Sequence, residues 1–240
     1  MSQKIFISAL LLMVLISCHS REEKKPVITL EAPLGFNDES ASDESPCVQL
    51  VGPCLASHSD APFLPPRVRK GSTILLVGDS LGVGMSDKFK ELARDAGYQS
   101  VTKAISGTST FQWVFWIKKH LETYKPSLVL VSLGTNDAIQ LERAKKSDVY
   151  AEMSKIVQDF GAELVWIVPH KIDLKRIPKI DLTREFIRSS VPLSFDSTRV
   201  EIPLSPDHVH TSKAGYDKWM KEVWKWLVEI NMIEKYTSQK

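Results

Sequence analysis

The 240-residue sequence holds only three cysteines and a single long apolar run, which lies at its N-terminus. After residue 18 no segment approaches the roughly 20 apolar residues that a helix needs to cross a bilayer, so no later membrane span is expected. Neither sign of charge dominates: 31 basic and 29 acidic residues leave a net charge of +2. No basic run with interleaved aromatics is present, which argues against a nucleic-acid surface. There is no internal repeat, so solenoid and array architectures are set aside. What remains, at 43% hydrophobic and 25% charged, is the make-up of a soluble protein with one main core.

At the N-terminus, Lys4 precedes "IFISALLLMVLIS". That run is too short for a membrane span but suits the core of an export signal. It ends in "LISC", with Ser17 directly before Cys18, and this resembles the lipobox of bacterial lipoproteins. The resemblance implies that residues 1–17 are a signal peptide that is removed. Cys18 would carry the lipid, palmitate among its chains, and the protein would be anchored to a bacterial membrane on the periplasmic or cell-surface side. An ordinary cleavage site beside an unrelated cysteine is the alternative. Several acyl chains on one residue hold a protein stably where a single chain does not. Cys47 and Cys54 can then close a short disulfide loop in an oxidising compartment or remain free thiols. Residues 18–70, rich in Pro, Ser, Asp and Glu and including "NDESASDES", have too little apolar content to order themselves and read as a flexible spacer.

From residue 71 to about 235, short β-branched runs alternate with amphipathic stretches, the pattern of βα units around a parallel sheet. "STILLVG" reads as the first strand, followed by a helix from about Gly84 to Ala96 with Met85, Phe89, Leu92 and Ala93 at helical spacing. "SVTKAIS" is the second strand, followed by a helix over "FQWVFWIKKHLETY" that ends at Pro126. "SLVLVSLG", apolar throughout, suggests a third strand buried on both faces. A helix from about Ser147 to Phe160, a fourth strand "AELVWIVP" and a weaker fifth, "RVEIP", follow. The last helix, roughly Ser212 to Ile230, places Tyr216, Trp219, Met220, Val223, Trp224 and Leu227 on one face. The expected fold class is α/β, a three-layer α/β/α sandwich on a five-stranded parallel sheet. In such sheets functional groups gather beyond the C-terminal ends of the strands.

The first exit, "VGDSLGVGMS", carries glycines between a strand and a helix, yet it fits no phosphate-binding pattern. A dinucleotide fingerprint starting at Gly82 and Gly84 needs a third glycine where Asp87 stands, and no Lys-Ser/Thr pair follows as in a P-loop. Ser80 instead reads as a nucleophile at a strand-to-helix corner, its own N–H at the positive end of the helix dipole. A serine needs a base, and "SPDHVHTSKAGY" offers one: Asp207 can hold one ring nitrogen of His210 while the other faces the serine. "AISGTST" contributes Gly107, whose bare backbone can donate to an oxyanion, and "LGTNDA" contributes Asn136, whose side-chain amide can do the same.

Gly78 to Leu81 ("GDSL"), the glycine of "SGTS", Gly134 to Asp137 ("GTND") and Asp-x-x-His at Asp207 to His210 occur in an order that resembles the SGNH, or GDSL-type, hydrolases. The resemblance runs from about Thr73 to the last helix. It implies a flavodoxin-like sheet, Ser80 as nucleophile, and His210 with Asp207 as base and orienting acid. Ser80, Gly107 and Asn136 would be the oxyanion donors, and no cofactor is required. This sequence departs from the family in its last block, where His208 follows Asp207 and Thr211 follows His210; His208 is a rival base or a substrate contact.

On that reading the chain is an exported serine esterase acting on a small ester or O-acetylated glycan, with envelope polysaccharide or peptidoglycan the expected carrier. A lipase or lysophospholipase is the alternative within hydrolases. An O-acyltransferase to polysaccharide, or a binding module that kept the fold, are readings outside that class. Taken singly, each residue has a plainer explanation: Ser80 and Asp207 as helix caps, Asn136 and Asp137 as turn formers, Gly107 as a loop glycine. His208 and His210 form His-x-His without a third ligand at metal spacing. Trp113 and Trp116 read as helix core rather than a sugar platform, and His170, at the end of the fourth strand, as a surface histidine.

Overall fold

The computed structural model describes residues 66–142 and 148–235. The signal run, Cys18, Cys47, Cys54 and nearly all of the spacer lie outside the described residues. Five strands form one parallel sheet: β1 (Thr73–Gly78), β2 (Gln99–Ala104), β3 (Leu128–Ser132), β4 (Glu163–Ile167) and β5 (Ser194–Phe195). Their spatial order is β2-β1-β3-β4-β5. The chain steps from β1 outward to β2 and returns to β3 on the other side of β1. That reversal opens a crevice between the C-terminal ends of β1 and β3, where open α/β sheets bind ligands.

The central strands are apolar throughout because both of their faces are covered. Successive side chains point to opposite sides, so Ile74, Leu76, Leu128, Leu130, Val165 and Ile167 meet one set of helices, and Leu75, Val77, Val129, Val131, Leu164 and Trp166 meet the other. On the first face lie α1 (Ser80–Asp95) and the last helix, α5 (Lys213–Glu229), with Met85 and Phe89 packed among Trp219, Met220 and Val223. On the second lie α2 (Thr110–Tyr124), α3 (Val149–Asp159) and α4 (Ile180–Ser190), which contribute Trp113, Ile117, Tyr150, Met153 and Ile187. The three fully buried tryptophans each place their indole N–H on an oxygen: Trp113 on Thr108 Oγ1, Trp166 on the Leu133 carbonyl and Trp219 on Ser197 Oγ. Burying these large rings therefore leaves no donor unpaired.

Three sequence expectations are corrected. The helix expected to start near Gly84 begins at Ser80, because the Asp79 carboxylate accepts the Leu81 N–H at 2.9 Å and caps the helix at the strand end itself. The fifth strand is Ser194–Phe195, paired to Trp166 and Ile167, and not "RVEIP". Residues 197–199 close a 3-10 turn that carries the chain out of the sheet, and only Leu204, beyond Pro203, pairs again, with Thr211. Between β4 and β5 runs α4, a helix the sequence pattern did not reveal. Its inner face mixes Ile180 and Ile187 with Thr183 and Arg184, and the Arg184 guanidinium is buried because it donates to the carbonyls of Pro169 and His170.

Candidate active site

The corner after β1 is a forced close approach. A Cβ at Gly78 would lie 2.8 Å from the Ser132 carbonyl oxygen and 3.0 Å from the Gly82 Cα, so only glycine lets β3 and α1 come this near. The next residue, Asp79, donates its N–H to that same Ser132 carbonyl at 3.1 Å. With Asp79 as the cap, Ser80 becomes the first residue of α1 and stands half-buried at the sheet end. Its N–H lies in the first helical turn, where amides have no partner within the helix.

The opposing arm is a turn preceding α5. Asp207 Oδ1 accepts the N–H groups of Val209 and His210 at 3.0 and 2.9 Å, an arrangement typical of Asp-led turns. Backbone bonds from Ser205 to the His210 carbonyl and from His208 to the Ser205 carbonyl close the loop. This leaves Asp207 Oδ2 free to take His210 Nδ1 at 2.6 Å, while His210 Nε2 sits 2.8 Å from Ser80 Oγ. The carboxylate fixes the tautomer: Nδ1 carries the proton, so Nε2 is the acceptor for the serine hydroxyl. The His210 hydrogen bond, followed by the two amides, holds the Asp207 carboxyl well below the usual carboxylate range.

His208, the rival base, is turned elsewhere. Its backbone adopts a left-handed φ of 60°, and its ring faces Asp173 at 3.9 Å. Of the two histidines, His210 is the one placed against Ser80.

A third group of residues lies at the exits of β2 and β3. Gly107 occupies an exposed left-handed turn at φ 79°, a conformation that favours glycine, with no atom within 4 Å of where a Cβ would be. Asn136 Nδ2 donates to the Thr108 carbonyl at 2.9 Å and to Asp79 Oδ2 at 3.3 Å. The two loops are further stitched together by Asp137, whose carboxylate accepts both the N–H and the hydroxyl of Thr110 at 2.9 and 2.6 Å. Thr108 Oγ1 donates to the Ile105 carbonyl and accepts from Trp113. Burial raises the Asp137 carboxyl above its ordinary value, opposed by the Thr110 donors. Burial likewise pushes Asp79 up to about 7, against the Leu81 amide and with the nearby Asp137 charge adding to the rise.

The structure thus brings all five sequence candidates, Ser80, Gly107, Asn136, Asp207 and His210, to one end of the sheet. Sequence reading missed the supporting residues Asp79, Thr108, Thr110 and Asp137. For the two acids the signal was present, as neighbours of Ser80 and Asn136, but a buried carboxylate and a surface one look alike in a sequence, and the threonines carry no signal of their own. Two side readings are corrected. His170 is 1% exposed rather than a surface residue: its ring packs 4.7 Å from Trp219, and burial pushes it down to about 4. Trp113 is core as expected, but Trp116, one turn on, is 38% exposed beside it, because the helix turns that position away from the sheet. Among the described residues no cluster of three or more His, Cys, Asp or Glu side chains is arranged to hold a metal.

This fold is shared with solved lipases and esterases. A lipase/acylhydrolase from Enterococcus faecalis superposes with a TM-score of 0.54 at 17% identity, over 66% of this chain and 96% of that one. An acetylxylan esterase from Geobacillus stearothermophilus gives 0.54 at 14% identity over 72% and 100%. The psychrotrophic esterase EstA from a Pseudoalteromonas species gives 0.51 at 19% over 65% and 98%. A family model described as a protein of unknown function (DUF459) matches residues 73–167, the stretch from β1 to β4 that carries Ser80, Gly107 and Asn136. No curated protein sequence matches the chain.

Proposed function

We propose that the protein is a serine ester hydrolase in which Ser80 attacks the ester carbonyl. The observation that carries this reading is the unbroken path from Asp207 through His210 to Ser80, with contacts of 2.6 and 2.8 Å. His210 Nε2 takes the hydroxyl proton as Oγ bonds to the carbonyl carbon, and Asp207 stabilises the imidazolium that forms. The carbonyl electron pair moves to oxygen, where the Ser80 and Gly107 amides and the Asn136 side chain are the available donors. Collapse expels the alcohol, which receives the proton from His210. A water deprotonated by the same nitrogen then attacks the acyl-serine and releases the acid.

The same sequence features that suggest a lipidated Cys18 suggest where this happens: outside the cytoplasm, with residues 18–70 as tether and residues 71–235 as catalytic domain. O-acetyl esters of envelope polysaccharide or peptidoglycan are the proposed substrates. Acetylxylan esterases among the structural neighbours lend support to acetylated glycans in general.

A second reading, toward longer acyl chains, is favoured by one observation. Val83, Ile105 and Ile139, each within three residues of Ser80, Gly107 or Asn136, are exposed and place apolar side chains just beyond β1, β2 and β3. Transfer of the acyl group to a sugar is the remaining outcome of the same acyl-enzyme.

The test is hydrolysis of acetylated glycans and of aryl esters of increasing acyl length by the wild type and Ser80→Ala, with and without an acceptor glycan. Preference for acetyl esters supports the proposal, and preference for long chains supports the second reading. Turnover by Ser80→Ala equal to wild type overturns both. Mass analysis of the mature N-terminus decides Cys18: an acylated cysteine as first residue is expected, and an unmodified one contradicts the anchor.

A further inference from the structure

Asp79 adjoins the nucleophile, yet it plays no part in the steps above, and its burial is costly. The side chain is 0% exposed, and an ionised carboxylate inside a protein requires compensating donors. Here they are two: the Leu81 N–H on Oδ1 at 2.9 Å and the Asn136 amide on Oδ2 at 3.3 Å. Capping explains the first and needs only one oxygen, a task that serine or asparagine performs equally well. The second bond has no role in helix capping. It ties the residue before the nucleophile to the side chain proposed to stabilise the oxyanion.

The surroundings make that tie selective. An Asn side chain has a donor end and an acceptor end of nearly the same shape. At Asn136 the Thr108 carbonyl and Asp79 Oδ2 are both acceptors, so together they draw Nδ2 to this side of the amide. Thr108 itself cannot yield readily, since its side chain is pinned between the Ile105 carbonyl and the Trp113 indole. The other charged or titratable groups around Asp79 are Asp137 from the same loop as Asn136, His210 from the opposing turn, and Tyr216 on α5. Among the described residues, none of these is hydrogen-bonded to its carboxylate.

We propose that Asp79 is a positioning residue for the oxyanion site: its Oδ2 holds the Asn136 amide with the donor end toward the nucleophile. This rests on the reading of Ser80 as nucleophile and Asn136 as oxyanion donor. The developing oxyanion draws on the same N–H, and the longer of the two Asn136 contacts, the one to Asp79, is the one that gives way.

Asp79→Asn separates this role from capping. The introduced amide still offers an oxygen to Leu81, so the helix cap is kept. It then presents an NH₂ group to Asn136 Nδ2, donor against donor, and if Asn136 flips instead, its oxygen meets the Thr108 carbonyl. Asp79→Ser keeps a capping oxygen and removes the contact without creating a clash. Asp79→Asn is expected to lower kcat by about 100-fold, the scale of one lost oxyanion donor, with KM little changed. Asp79→Ser is expected to lower kcat by roughly 10-fold, since Asn136 loses one of its two acceptors but meets no repulsion.

The deciding measurement is a double-mutant cycle with Asn136→Ala on a short aryl ester, with melting temperatures recorded alongside. Loss of kcat in Asp79→Asn that disappears in the Asn136→Ala background supports the proposal, because residues acting through one another are not additive. Equal losses in both backgrounds, or wild-type kcat in Asp79→Asn, overturn it. If Asn136→Ala alone leaves kcat unchanged, the oxyanion reading fails first and takes this inference with it.

Discussion

The turn that carries His210 and the corner that carries Ser80 meet across 2.8 Å, yet they are held in different ways. The turn is local and wet: Asp207 is half exposed, and its three bonds all go to residues within three positions of itself. The corner and its neighbours are buried and long-range, with Asp79, Asp137, Thr108 and Thr110 joining the exits of β1, β2 and β3. On the proposed mechanism the difference is a division of labour. A base must rotate slightly as it takes and returns a proton, and a short exposed turn tolerates that. Oxyanion donors act only if they are already in place when charge develops, and buried networks hold them there.

This comparison can be broken most strongly in the turn. His210→Ala is expected to lower ester turnover by about 10⁴-fold or more, while His208→Ala stays within about twofold of wild type, as its ring faces Asp173. The reverse ranking in steady-state assays would reassign the base. Asp207→Ala is expected to cost about 10³-fold in kcat yet leave chemical denaturation almost unchanged, because exposed ion pairs contribute little to folding.

The buried arm should show the opposite balance. Asp137→Ala strands the N–H and hydroxyl of Thr110 in the interior, and a loss of roughly 1–3 kcal/mol in unfolding free energy is expected, with turnover reduced as well. Urea titration of the two variants side by side tests whether activity and stability separate in one arm and travel together in the other.

The smallest expected effect concerns pH. The unfolded chain protonates His170 near its ordinary value while the folded protein does so only at about 4. The stability linked to keeping this ring neutral is therefore complete above pH ~6.5 and is lost as the pH falls toward 4. Asp79 works in the other direction. Raised to about 7, it contributes fully below pH ~4, and that contribution disappears as the pH rises through about 7. His170→Phe, which keeps an aromatic ring against Trp219, is expected to flatten the acid-side fall in melting temperature between pH 7 and pH 5. An unchanged slope would mean that His170 is not the group responsible.

Much of this arrangement could be read from the residues in order. Near-continuous apolar runs mark β1 and β3, because a doubly covered strand leaves no position for polar residues. The last helix is legible from six apolar positions on one face. The candidate site residues could be picked out because Ser80, Gly107 and Asn136 follow β1, β2 and β3, while Asp207 and His210 share one short turn before the last helix. The failures have physical causes. β5 is two residues long and makes its place by pairing, which composition does not encode. α4 buries an arginine where its pattern would want a hydrophobe, since Arg184 serves two carbonyls that lie more than ten residues away in sequence. His170 and Trp116 exchange expected environments, because which side of an element is inner depends on neighbours contributed by distant segments. Asp137 looked like a turn former and Asp79 carried no assigned role, and only their tertiary partners separate them from surface acids.

The central claim is that Ser80 is the nucleophile. The most direct measurement is mass analysis of the whole protein and its peptides after reaction with an activated aryl phosphonate, which phosphonylates a serine deprotonated by a neighbouring base. The account predicts one phosphonyl group per chain, located on Ser80, and none in Ser80→Ala. Absence of an adduct on the wild type, or the same adduct in Ser80→Ala, would contradict it.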